Sequence, residues 1–157
     1  EANEIMYNEL SRKAVALSKA TSRLTESRAV LTRISGQVKG KKDPDLKEVA
    51  RKTKAVQDSL NIIWEYINGK VEKQQGISGF NQPTAAIKLF EASRYIQSRP
   101  AGPTATEERL MDQADQMVGK ALDMTNTFYK DVWTGYRDMI ENTDFKWFKD
   151  YEPIEME

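Results

Sequence analysis

Two stretches of this chain repeat their apolar residues at a spacing that only a packed α-helix uses. Leu10, Leu17, Leu24, Leu31 and Val38 recur every seven residues, with Ala14, Ala20 and Ile34 in flanking core positions. Leu46, Val49, Thr53, Val56, Leu60, Ile63 and Ile67 alternate steps of three and four without a break, and Trp64 lies beside them. A strand would need steps of two, so both stretches read as helices with one buried stripe. The first is predicted over about 3–37. It ends at Gly36 and Gly40, and "GKKDPD" is the turn. The second is predicted over 44–68, opening at Asp43 or Asp45 with Pro44 in its first turn and stopping at Asn68-Gly69.

Two more helices complete the pattern. One is predicted over 83–98, with Ala86, Leu89, Ser93 and Ile96 as its stripe and Ile87 and Phe90 beside it. The other is predicted over 104–142. It opens with Thr104 and Glu107 at capping-box spacing and continues through Leu110, Ala114, Met117, Ala121, Met124 and Phe128, drifting to Val132, Tyr136 and Met139 or Ile140. Between helices 2 and 3 lies the thirteen-residue loop 70–82, "KVEKQQGISGFNQ", whose Ile77 and Phe80 are expected to plug one end of the core or to serve as a recognition loop. Two long and two shorter helices make an all-α, up-down-up-down four-helix bundle the expected fold. The 157 residues form a single helical domain with a tail at 143–157.

That tail, "DFKWFKDYEPIEME" with the residue before it, breaks the helical pattern. Phe145, Trp147, Phe148 and Tyr151 crowd into it, and Pro153 disfavours helix at Glu152. Phe145, Phe148 and Tyr151 are three apart, which suits one more helical turn. The tail is expected to fold back as a lid on the flank of helix 4 left uncovered by shorter helix 3. The rival reading makes Trp133, Trp147 and the tail aromatics a docking patch for another domain or chain, since Trp and Tyr concentrate in such patches. The candidate interface or tail-packing residues are therefore Phe80, Trp133, Tyr136, Trp147, Phe148 and Tyr151.

Composition excludes much chemistry. There is no Cys and no His. Thiol nucleophiles, disulfides, zinc sites of the usual kind, His-based general bases and the Glu-x-x-His pairs of di-iron bundles are all ruled out. No phosphate-cradling Gly loop, nucleophile elbow, Asp-box or Asn-x-Ser/Thr sequon is present. No apolar run is long enough to cross a bilayer, and no secretory signal precedes Ile5 and Met6. The chain begins at Glu1 rather than Met, so it is expected to be a processed product or a C-terminal piece of a larger protein.

Net charge is zero but unevenly placed. Residues 1–42 carry nine Lys/Arg against four Asp/Glu, and residues 103–157 carry six against thirteen. A basic first helix and an acidic last one attract if they are neighbours. The basic helix does not read as a nucleic-acid face, because its charges are scattered and no aromatics interleave them. Glu108, Asp112 and Asp115 share a helix face that could take a divalent cation, but a solvated acidic face explains them as well. Arg12, Lys13, Arg23, Arg28 and Arg33 could line an anion pocket of a small helical enzyme, yet no Arg, Lys and Glu converge at core-facing positions. Neither metal nor cofactor is called for.

From residue 55 onward the chain resembles the C-terminal region of bacterial sortilin-like proteins, large exported β-propellers of BNR (Asp-box) repeats that are glycosyl-hydrolase-like. The resemblance rests on "SLNIIWEYINGK", "GISGFNQP", "SRYIQS", the "GPT" start of helix 4, Asn126 with Phe128, Trp133 with Tyr136, and Phe148, Tyr151, Glu152 and Pro153. Helix 1 matches only as a generic long helix. The resemblance implies a non-catalytic helical accessory domain, extracellular or periplasmic, that contacts the upstream propeller or another protein. The alternative is a free-standing coiled-coil or bundle assembly module, with a cytoplasmic location open to it. A coiled-coil module should leave Leu10, Leu17, Leu24 and Leu31 unburied within one chain.

Overall fold

The computed structural model describes residues 2–70, 83–98 and 102–156. The loop expectations for Ile77 and Phe80 lie outside these residues. The described chain is an all-α bundle. Its elements are α1 (Ala2–Val38), α2 (Pro44–Asn68), α3 (Ala85–Gln97), α4 (Ala105–Thr127), a π-helical segment (Phe128–Trp133) and α5 (Thr134–Glu141), the last three forming one continuous rod.

Local chemistry fixes the ends. Asp43 accepts hydrogen bonds from the backbone of Asp45 and Leu46 at 2.8 and 3.4 Å, ahead of Pro44 at the first helical position. Thr84 caps α3 through the Ile87 amide at 3.2 Å. Thr104 and Glu107 form the expected capping box on α4. Such caps contribute about 1 kcal/mol each by satisfying amides that have no partner inside the helix.

The buried stripes run at steps of three and four throughout, the spacing of left-handed helical bundles. All seven expected stripe residues of α2 are buried. In α1 the buried set is Leu10, Leu17, Ala20, Leu24, Ser27, Leu31, Ile34 and Val38; Ala14 is exposed instead. Burial of a leucine side chain is worth about 1.5–3 kcal/mol, so this seam is a main source of stability. The heptad leucines are thus consumed inside one chain and are not left as a dimer seam.

Along α4 and the π-helical segment the expected Ala114, Ala121 and Phe128 are buried, but Met111, Val118 and Thr125 replace Leu110, Met117 and Met124 between them. Glu107, Met111, Ala114, Val118, Ala121 and Thr125 are buried, while Leu110, Met117 and Met124 are half-buried. In α3, Ala85, Leu89, Ala92 and Ile96 are buried, and Ile87 and Phe90 face solvent.

Contacts between rods set their directions. Lys13 Nζ meets Asp115 Oδ1 at 2.6 Å, Ser27 Oγ meets the Tyr129 hydroxyl at 2.7 Å, and Gln37 Nε2 meets the Trp147 carbonyl at 2.6 Å. Residue numbers rise together, so α1 and the α4–α5 rod are parallel. Along α2 they run oppositely: Tyr66 lies under Lys120, and Thr53 meets Tyr136. The start of α3 abuts the end of α2, since a Cβ on Gly69 (φ +85°) would sit 3.3 Å from Thr84 Cγ2. Ala105 lies ten residues before Asp115, near the N-terminal end of α1. The few residues joining α3 to α4 span at most about 24 Å extended, so α3 must descend toward that end.

The order is therefore up, down, down, up, and it replaces the expected up-down-up-down alternation. Helices α2 and α3, of 25 and 13 residues, together match the 37 residues of α1. The bundle is three rods in cross-section, and one rod is broken in the middle.

Candidate functional site

The sequence-predicted site residues separate into three groups. Trp133 and Tyr136 belong to the bundle. The π segment holds Phe128, Tyr129 and Trp133 within 5.1–6.2 Å of one another, ring centre to ring centre, and Trp133 reaches Tyr136 at 5.8 Å. A π turn adds a residue to the helix and rotates the next turns about the axis, a geometry frequent near functional sites. Here it keeps Phe128 and Tyr136, eight residues apart, both buried.

Their hydroxyl chemistry is closed within the bundle. Thr53 Oγ1 donates to the Val49 carbonyl at 2.7 Å, so Tyr136, 2.7 Å from the same oxygen, donates to Thr53. Burial pushes the Tyr136 hydroxyl above its ordinary pKa, partly offset by Thr53. Burial raises Tyr129 likewise, with Ser27 opposing. These two tyrosines are structural, and Trp133 is half-buried among them. Trp133 is therefore not an exposed member of the anticipated docking patch.

The second group is Phe145 and Trp147. Residues 144–156 carry no helix, so the extra helical turn anticipated through Phe145, Phe148 and Tyr151 is absent. Phe145 and Trp147 stack edge-to-face at 4.7 Å and pack on the core. Gln37, near the C-terminal end of α1, donates to the Trp147 carbonyl and ties this part of the tail down.

Phe148 and Tyr151 form the third group with two residues that residue spacing does not single out. Phe148 is 80% exposed, Tyr151 88%, Ile154 99% and Met156 100%. The lid reading is corrected here: only the Phe145–Trp147 half lies on the bundle. Lys146 pairs with Asp150, while Glu152 and Glu155 form no ion pair among the described residues.

Two surface grooves are formed by the described residues. One, of about 420 Å³, lies between α2 and the α4–π rod over Ile63, Met124, Phe128 and Val132. The other, of about 390 Å³, lies between α1 and α3 over Leu17, Ile67 and Leu89. No arginine lines either. Arg28 instead stacks on Trp64 at 4.5 Å and donates to Asn61. Lys13 bridges Glu9 and Asp115, and Arg12, Arg23 and Arg33 face solvent. Among the described residues no three carboxylates come together to hold a metal ion. No described helix is long and apolar enough to cross a membrane.

No protein-family model matches the chain, and no curated protein or solved structure is significantly similar to it.

Proposed function

We propose that this chain is a non-catalytic helical accessory domain of a larger exported β-propeller protein, and that it works by interdomain or protein–protein contact. One observation carries the contact reading. A bundle that buries its own leucines leaves Phe148, Tyr151, Ile154 and Met156 in water on a segment fixed at Trp147. Scattered apolar residues on a surface need no explanation, but four within nine residues on a segment without helix form a docking peptide. An anchored, presented peptide has less freedom to lose on binding than a free one. The link to a propeller and to an exported location rests on the resemblance of residues 55–157 alone.

The test is done in the source cells, with a photo-crosslinking amino acid in place of Tyr151 and an antibody against this chain. The proposal predicts a native band several times the 18.0 kDa of the chain, with a crosslink at position 151 to the upstream domain or to another protein. An 18.0 kDa band would remove the propeller. No crosslink at position 151 would remove the contact.

A further inference from the structure

The solvent side of α1 has a feature that bundle packing does not use. Arg12, Lys19, Arg23, Val30, Arg33 and Gln37 recur at helical spacing along the edge of α1 that flanks its buried stripe. The four cations are exposed and, among the described residues, form no ion pair. Glu26 is the single acid in this row, and Val30 is 40% exposed. The upper end of the row is Gln37, the residue that holds the Trp147 carbonyl.

From that point the tail continues with Asp150, Glu152 and Glu155 alternating with Tyr151, Ile154 and Met156. An acidic, apolar strand therefore starts at the end of a basic, partly apolar helix face. Reach agrees with charge. The nine residues from Trp147 to Met156 span about 30 Å extended, which is about twenty residues of helix rise and ends beside Lys19.

We infer that this basic face of α1 is a docking surface for an acidic, aromatic peptide, and that its resident occupant is the chain's own tail end, Phe148–Met156. The structure shows the undocked arrangement, with those side chains in solvent. The occupant is the tail of the same chain because the Gln37–Trp147 bond already holds the strand at the edge of the face. A tether this short sets an effective concentration in the millimolar range, which a separate molecule at cellular levels does not match. Exposed ion pairs are individually weak and salt-sensitive, so the docked and undocked forms exchange readily. The consequence is regulation of the contact proposed above: a partner for the tail end competes with α1, and an acidic partner for α1 competes with the tail. The inference rests on that reading of the tail as a docking peptide.

The experiment titrates a fluorescein-labelled synthetic peptide of residues 148–156 into the full chain, into Glu152→Lys/Glu155→Lys, and into Lys19→Glu/Arg23→Glu. Anisotropy is read at low and high salt, and light scattering gives the oligomeric state. The expected result is binding to Glu152→Lys/Glu155→Lys about twofold tighter than to the parent, because a tail docked about half of the time no longer competes. That binding should vanish at high salt, and Lys19→Glu/Arg23→Glu should not bind although its melting temperature matches the parent. Equal binding to the first variant and the parent would overturn the inference, as would no binding to either. Dimers of the parent that the tail variant loses would assign the face to a second copy instead. The two proposals fail separately: a missing crosslink at position 151 with intact peptide binding refutes the external contact, and the reverse refutes the α1 face.

Discussion

The two halves of the C-terminal tail are adjacent, equally aromatic and treated oppositely by the bundle. Phe145 and Trp147 stack on each other, pack on the core and are tied to Gln37. Phe148 and Tyr151, the next two aromatics, lie almost wholly in water. Hydrophobicity does not separate the halves; backbone geometry does. The chain bends at Phe148, with Lys146 paired to Asp150 across the bend, and residue 148 lies on its solvent side. The difference teaches that a tail on a helical bundle can serve as anchor and as presented ligand at once, with the change falling at a single peptide unit.

The contrast between the halves is broken most severely by removing the platform. Leu24 and Leu31 have no exposed surface. Leu24→Ala should cost about 2–5 kcal/mol in urea unfolding, and a loss below about 1 kcal/mol would mean the α1 seam is not the core. Trp147→Ala removes the anchor. Because Trp147 is only half-buried, it should cost about 2 kcal/mol and expose Phe145 to quenchers and protease, measurable by limited proteolysis of the tail.

Tyr136→Phe leaves Thr53 with its Val49 bond but removes the hydroxyl that donates to it, so about 1 kcal/mol is expected. The same residue predicts a pH dependence. Burial raises the folded-state pKa of Tyr136 and Tyr129 above the ordinary value of 10.0. The folded protein then holds protons that the unfolded chain releases. Their contribution is complete below pH 10.0 and is lost as pH rises through the folded values. Thermal unfolding followed from neutral to alkaline pH should show this decline, and Tyr136→Phe should make it shallower.

Much of this architecture is legible from residue spacing, and the exceptions have physical causes. The α2 stripe is unambiguous because no second apolar row competes with it. In α4 two rows lie side by side and share Ala114 and Ala121. Leu110, Met117 and Met124 are the more hydrophobic row, but the rods bury Met111, Val118 and Thr125. Thr125 tolerates this because its hydroxyl donates to the Ala121 carbonyl at 2.8 Å. The up-down-down-up order is not written in any local pattern; only contacts far apart in sequence, such as Ser27 with Tyr129, reveal that α1 and α4 are parallel. At the candidate site, Trp147 is recognisable by composition, whereas the exposure of Phe148 comes from the absence of helix after Asn142. A period of three read across Phe145, Phe148 and Tyr151 suits a helical turn that the chain does not make.

The smallest expected effect is also the sharpest. Phe148→Ala combined with Tyr151→Ala changes two large aromatics, and full burial of both would make that cost several kcal/mol. The equilibrium urea unfolding of this double variant, beside the parent chain, tests directly whether the tail end lies outside the core. A presented tail end predicts midpoints that coincide within about 0.5 kcal/mol of stability, as for surface substitutions. A loss of about 3 kcal/mol or more, the cost of a single buried aromatic, would show that these rings belong to the core and are not presented.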